Sequence, residues 1–140
     1  MLTVNEVELA NRLRPVLLSL ARELRREVHS LGVTGGQVTL LIGIKKNSGL
    51  SQRELAERER ISGAAASAHV DRLERAGLVR RTRSETDRRR IGLEVTPKGL
   101  RVLEQVRRRR TAWLAERLET LSPEQRDAIE SALEPLAALL

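Results

Sequence analysis

The stretch GLVRRTRSETDRRRIGLEVTPKG, from Gly77 to Gly99, constrains the fold of this chain more than any other. It holds two short β-like runs, Leu78–Arg83 and Arg90–Val95, joined by a polar turn carrying Asp87, Arg88 and Arg89. The remainder of the chain reads as helix, so a small basic hairpin has to be carried by a helical body. The segment before the hairpin reads as a helix-turn-helix. A basic hairpin in that position suits a grip on a DNA duplex through two grooves at once.

The 140 residues suffice for one domain with a buried core. Hydrophobic residues make up 40 % but aromatics only 1 %, with Trp113 and no Phe or Tyr, so the core is aliphatic and suits helix packing. The absence of cysteine excludes disulfides, thiolate metal sites and thiol redox sensing. No apolar run is long enough for a membrane span and the N-terminus has no signal-peptide core, so a soluble cytoplasmic protein without a membrane partner is expected. The net charge is +7, and Lys45, Lys46 and Lys98 are the only lysines among 26 basic residues. Codon bias in a GC-rich genome accounts for an arginine excess but not for its placement. Arg80, Arg81, Arg83, Arg88, Arg89 and Arg90 crowd into residues 80–90, which points to a polyanionic partner.

Spacings of three and four between Leu9, Leu13, Val16, Leu20, Leu24, Val28 and Leu31 predict a long amphipathic helix over 5–31. Pro15 should kink or split it near Arg14. Gly32 is a stop signal and Thr34 a cap for a mostly buried helix over Gly35–Lys46. Ser51 with Glu54 forms a capping box at the start of the next helix. A further helix runs from Ile61 and Ser62 to about Ala76, with Ala66, Val70 and Leu73 inward and Gly77 as terminator. Thr96-Pro97 and Ser122-Pro123 each read as a cap followed by a first-turn proline. Helices over 97–140 carry Leu103, Val106, Trp113, Leu118, Ile129, Leu133 and Leu136. The tail Leu136–Leu140 is too apolar for a monomer surface. Packing of the first and last two helices against a second copy would cover it, with intrachain packing as the alternative.

This order of elements resembles the MarR family of bacterial transcriptional regulators over nearly the whole chain. The specific part is residues 50–99, LSQRELAERERISGAAASAHVDRLERAGLVRRTRSETDRRRIGLEVTPKG. A V-D-R-L-E-x-x-G-L-V-x-R helix exit matches Val70–Arg81, a D-x-R wing matches Asp87-Arg88-Arg89, and the helix restart matches Val95–Gly99. The fold expected is mainly α with a small β-hairpin wing. A winged helix-turn-helix lobe over 34–96 (helix-turn-helix 51–76, wing 78–95) is joined to a helical dimerisation region over 5–31 and 97–140, in a single domain. The resemblance implies a homodimer binding a pseudo-palindromic operator, usually as a repressor. It also implies release by small phenolic or anionic effectors seated between the dimer helices and the lobe.

Arg89 is the first candidate for the wing tip in the minor groove, where a guanidinium meets enhanced negative potential. Asp87 is expected to hold that guanidinium by a charge-assisted hydrogen bond. Alternation puts Arg88 and Arg90 on the opposite face, one for phosphate and one for the surface, and Arg83 joins the basic set. On the recognition helix the outward face is read as Ala64, Ala65, Ala68, Arg72 and Arg75, flanked by Ser67 and His69. Relatives often carry Ser, Thr or Arg near those alanines, so contact with thymine methyl groups replaces bidentate bonds here, or the helix sits deeper in the groove. Ser62, Ser67 and His69 are polar candidates for phosphate or base edges. Ser51, Gln52 and Arg53 open the supporting helix, whose N-terminus either meets a phosphate or is simply capped. His29, Arg107 and Arg110 are candidates for an effector pocket, against a structural histidine and a solvated arginine face. No metal-ligand spacing, phosphate loop or nucleophile with its base is present, so neither cofactor nor metal is expected and the chain is not read as an enzyme. The alternatives are a non-specific architectural DNA-binding protein and an interaction module that has lost DNA binding.

Overall fold

The computed structural model describes residue 1, residues 3–87 and residues 89–140. Six helices and one hairpin follow in order: α1 Val4–Arg26, α2 Gly35–Lys46, α3 Gln52–Glu59, α4 Gly63–Arg75, β1 Val79–Arg83, β2 Ile91–Val95, α5 Pro97–Glu119 and α6 Pro123–Ala137. Side-chain oxygens of Thr3, Thr34, Ser51, Ser62, Thr96 and Ser122 cap the six helices in turn, each accepting from an N–H in the first turn. Four of these starts are reciprocal capping boxes, at Thr3/Glu6, Thr34/Gln37, Ser51/Glu54 and Ser122/Gln125. Each cap contributes about 1 kcal/mol, enough to set where a short helix such as α3 begins.

Two expectations for the first helix are corrected. Of the two outcomes expected of Pro15, a kink or a split, the split does not occur: α1 is continuous from Val4 to Arg26. The proline removes one N–H, and on this exposed stretch water can serve the carbonyl left behind. The helix also stops short of Leu31. A separate 3-10 turn, His29–Leu31, follows it and closes on Gly32 at φ 80°, a left-handed conformation that suits glycine. That turn drives Val28 fully into the core.

The core lies in the lobe built by α2, α3, α4 and the hairpin, with the middle of α5 laid on it. Leu41, Ile44, Leu55, Val70, Leu73, Val79 and Leu93 are buried, with Leu103 and Val106 joining from α5. Full burial of each Leu or Ile contributes about 1.5–3 kcal/mol. The hairpin pairs Val79 with Val95 and Arg83 with Ile91 in antiparallel register. It is tied to the α2–α3 linker by Gly49 N–H donating to Leu93 O (3.0 Å) and Leu93 N–H donating to Leu50 O (2.8 Å). A side chain at Gly92 would place its Cβ 2.5 Å from the Gly49 carbonyl oxygen, so this close approach depends on glycine.

Outside the lobe the packing changes character. Neither α1 nor α6 contains a buried residue. Leu9, Val16, Leu17, Leu18 and Leu20 on α1, with Ile129 and Leu133 on α6, are all exposed. Among the described residues no helix is long and apolar enough to cross a membrane.

Candidate nucleic-acid interface

The recognition helix α4 buries Ala66, Val70 and Leu73 and leaves Ala64, Ala68, Arg72 and Arg75 exposed, as the helical spacing predicts. Ala65, Ser67 and His69 are half-buried on its flanks. The Nδ1 atom of His69 is buried and has no hydrogen-bond partner, so that nitrogen is not offered to a base edge. The Ser51 and Ser62 hydroxyls accept from the N–H groups of Glu54 (3.1 Å) and Ala65 (3.0 Å). Both serines are helix caps, which leaves each hydroxyl its proton to donate. Gln52 is not a loose surface group, because its Oε1 accepts from Arg81. Arg53 projects outward, 90 % exposed, with only a 3.5 Å contact to Glu57.

The wing tip departs from expectation in one instructive way. The Asp87 carboxylate does not hold the Arg89 guanidinium; its Oδ1 accepts from the Arg89 backbone N–H at 3.0 Å. Asp87 therefore shapes the turn, the local side-chain-to-backbone bond that aspartate favours in such places. Arg90 N–H donates to Asp87 O (3.0 Å), Asp87 N–H to Ser84 Oγ (3.2 Å) and Ser84 N–H to Arg90 O (2.9 Å), completing a small closed tip. Arg89 is exposed on this tip. Arg88 lies outside the described residues. Strand alternation does not govern Arg90 either, since β2 begins only at Ile91. Its guanidinium turns back onto Glu54 at the start of α3.

Much of the arginine cluster is neutralised within the lobe. Arg80 pairs with Glu94 across the hairpin at 3.0 Å, and Arg81 pairs with Asp71 at 3.1 Å and Glu74 at 3.4 Å. Arg90 pairs with Glu54, whose carboxyl is held below the usual carboxylate range by Ser51 first and by Arg90 in addition. Among the described residues, Arg72, Arg75, Arg83 and Arg89 make no ion pair. These four cations on α4 and the wing are open to phosphate or a groove, as is the outward Arg53 of α3. Sequence reasoning counted Arg90 in the same class and missed the Arg81 and Arg90 contacts. The one sequence signal for them was the density of acidic residues at 54, 71 and 74.

A second concavity lies where α5 crosses α2 and the end of α1. It has a volume of about 610 Å³ and is walled by Leu24, Leu103, Val106 and Leu114, with Lys45, Lys46, Arg107 and Arg110 around it. Arg107 is committed to Glu104 through bonds of 2.6 and 3.0 Å, with Arg108 adding a third. The Arg107 bond chiefly, with the charges of Arg107 and Arg108, holds the Glu104 carboxyl at about 2. Arg110 has no acidic partner among the described residues; its Nε donates to Leu24 O at 3.1 Å. Burial, and secondarily the charge of Arg25, lowers its pKa, and a guanidinium stays charged regardless. His29 is exposed and does not line this cavity, so it drops out of the candidate pocket. No group of three or more His, Asp or Glu among the described residues is arranged to hold a metal.

Comparison with known proteins agrees with this geometry. A family model described as MarR family matches residues 31–90, which covers α2 through the wing tip. An HTH-type transcriptional regulator of Mycobacterium bovis is 30 % identical over 97 % of this chain and 95 % of its own length. The HTH-type transcriptional repressor MdtR of Bacillus subtilis is 35 % identical over 74 % of this chain and 66 % of its own. The structure of a MarR family protein from Bacillus stearothermophilus superposes with a TM-score of 0.82 at 28 % identity, covering 99 % of this chain and 96 % of that one. The lobe, its wing and the long flanking helices are thus shared with transcription regulators rather than enzymes, and the chain belongs to the MarR family.

Proposed function

We propose that this chain is a sequence-specific DNA-binding regulator of transcription that binds a pseudo-palindromic operator as a homodimer and acts as a repressor. The observation that carries the reading is the alignment of exposed α4, with Ala64, Ala68, Arg72 and Arg75, beside a wing whose open cations are Arg83 and Arg89. A helix of that shape fits the major groove while the wing arginine reaches the adjacent minor groove. The exposed apolar faces of α1 and α6 supply the surface for a second copy, and two-fold pairing sets two α4 helices about 34–36 Å apart. Repression is proposed by analogy with the MdtR relative, a transcriptional repressor. The cytoplasm, where the DNA is, is the matching compartment.

The cavity beside α5 supports release by a small ligand. Its volume is in the range of small-molecule sites, and its aliphatic walls with Arg110 at the edge suit an anionic amphiphile such as a phenolic acid. Arg107 is the weaker anchor because Glu104 already satisfies it.

One observation favours a second reading. The methyl face of Ala64 and Ala68 offers few hydrogen bonds to bases, as in an architectural protein that coats DNA without selecting a site. Footprinting on genomic fragments at ~0.15 M salt separates the two. Protection of a discrete palindromic site is expected; uniform coverage would establish the architectural reading.

A further inference from the structure

Arg81 stands within the basic hairpin, and its sequence position makes it one more cation for a duplex. Its surroundings give it a different task. From β1 the side chain lies against both helices of the helix-turn-helix. Its Nη2 donates to Asp71 Oδ1 on α4 at 3.1 Å, and its Nη1 donates to Gln52 Oε1 on α3 at 3.1 Å. Its Nε lies 3.4 Å from Glu74 Oε2, one turn along α4 from Asp71. Three elements that are separate in sequence therefore meet on one planar group. Arg81 is also less open than Arg80, its side chain being 34 % exposed against 61 %.

The aliphatic contacts between α3 and α4, through Leu55, Val70 and Leu73, are non-directional and allow small changes of angle. The guanidinium fork is directional, and an ammonium cannot reproduce it. The angle matters more here than for a helix that reads bases through long side chains. Contact through alanine methyl groups is short-ranged, and a gap of about 0.5–1 Å forfeits a quarter to a half of the attraction.

We infer that Arg81 is a positioning residue: it locks α3, α4 and β1 at the angle on which base discrimination depends, and neutralises no phosphate. This rests on the reading of α4 as the groove-entering helix. The test uses the full chain and two duplexes, one enriched from a random pool by the wild-type protein and one of the same composition scrambled, each titrated over a salt series. Arg81→Met is expected to weaken binding to the enriched duplex by about tenfold, the cost of about one mismatched base pair. Affinity for the scrambled duplex and the log–log salt slope should stay unchanged, and Arg81→Lys should not restore discrimination. Equal weakening on both duplexes with the slope reduced by about one would make Arg81 a phosphate contact and overturn the inference. So would a lower melting temperature with both affinities intact.

Asp71→Asn keeps the question open to measurement should Arg81→Met not fold. Loss of discrimination at constant slope is expected of it, whereas tighter binding to both duplexes, by an arginine released to phosphate, would overturn the positioning role. Failure of the wild-type chain to enrich any duplex would overturn the reading of α4 and the role of Arg81 with it. Failure of the variants alone touches only Arg81.

Discussion

Arg89 and Arg81 carry the same charge eight positions apart, yet their environments differ, and with them the tasks proposed for each. Arg89 sits on a tip closed by Asp87, Ser84 and the backbone of Arg90, and has no ion pair among the described residues. On the proposed reading, a turn held by these hydrogen bonds leaves the Arg89 guanidinium, free of the Asp87 carboxylate, to reach a groove. Arg89→Ala should weaken operator binding and lower the log–log salt slope by about one, measured by titration at several salt concentrations. Unchanged affinity and slope would remove Arg89 from the interface. The basic crowding around residues 80–90 was visible from sequence. The division of that crowd into paired and open arginines was not, because Asp71, Gln52 and Glu54 reach it only after α3 and α4 have folded against the hairpin.

Among the elements, α3 shows how local and distant interactions share one side chain. Glu54 completes the capping box with Ser51 and also receives Arg90 from the wing, so one carboxylate starts the helix and docks the hairpin. Its folded-state pKa is depressed below the ordinary 4.5, so its contribution is present above that value and is lost as pH falls through the lower folded pKa. Urea unfolding of the wild-type chain should therefore weaken as the pH drops below about 4.5, and Glu54→Gln should show a shallower decline over the same interval. Identical pH profiles for the two proteins would show that the ionised Glu54 adds nothing to stability, through the Ser51 cap or through the Arg90 clasp. The helix starts, the hairpin strands and the inward set Ala66, Val70 and Leu73 all follow from short-range signals: caps, glycine stops and apolar spacing. Pro15 illustrates the limit of such signals. The expected cost of a proline is real, but an exposed helix can carry one missing bond without dividing.

For the whole molecule the contrast is between a lobe that buries its apolar residues, with α5 laid on it, and the helices α1 and α6, which bury none. Leu9 and Leu133 are each 60 % exposed, and α6 has no buried residue at all. A chain truncated after Leu121 should sediment as monomer or aggregate, since it loses α6 and half of the proposed joint with the second copy. A soluble, stable dimer lacking α6 would place the joint elsewhere. The candidate effector cavity belongs to this scale as well, because its walls come from α1, α2 and α5 together. Sequence by itself determined the aliphatic, helical character of the chain, the starts of α2 to α6, the hairpin and the family resemblance, while the Thr3/Glu6 cap of α1 went unread. Each of these is written within a few residues, in periodicity, caps and turn chemistry. Only the tertiary structure decided that Arg81 and Arg90 are spent on α3 and α4, and that Arg110 rather than His29 faces a cavity. Those outcomes depend on which distant groups arrive beside a flexible charged side chain, and no local pattern encodes that meeting.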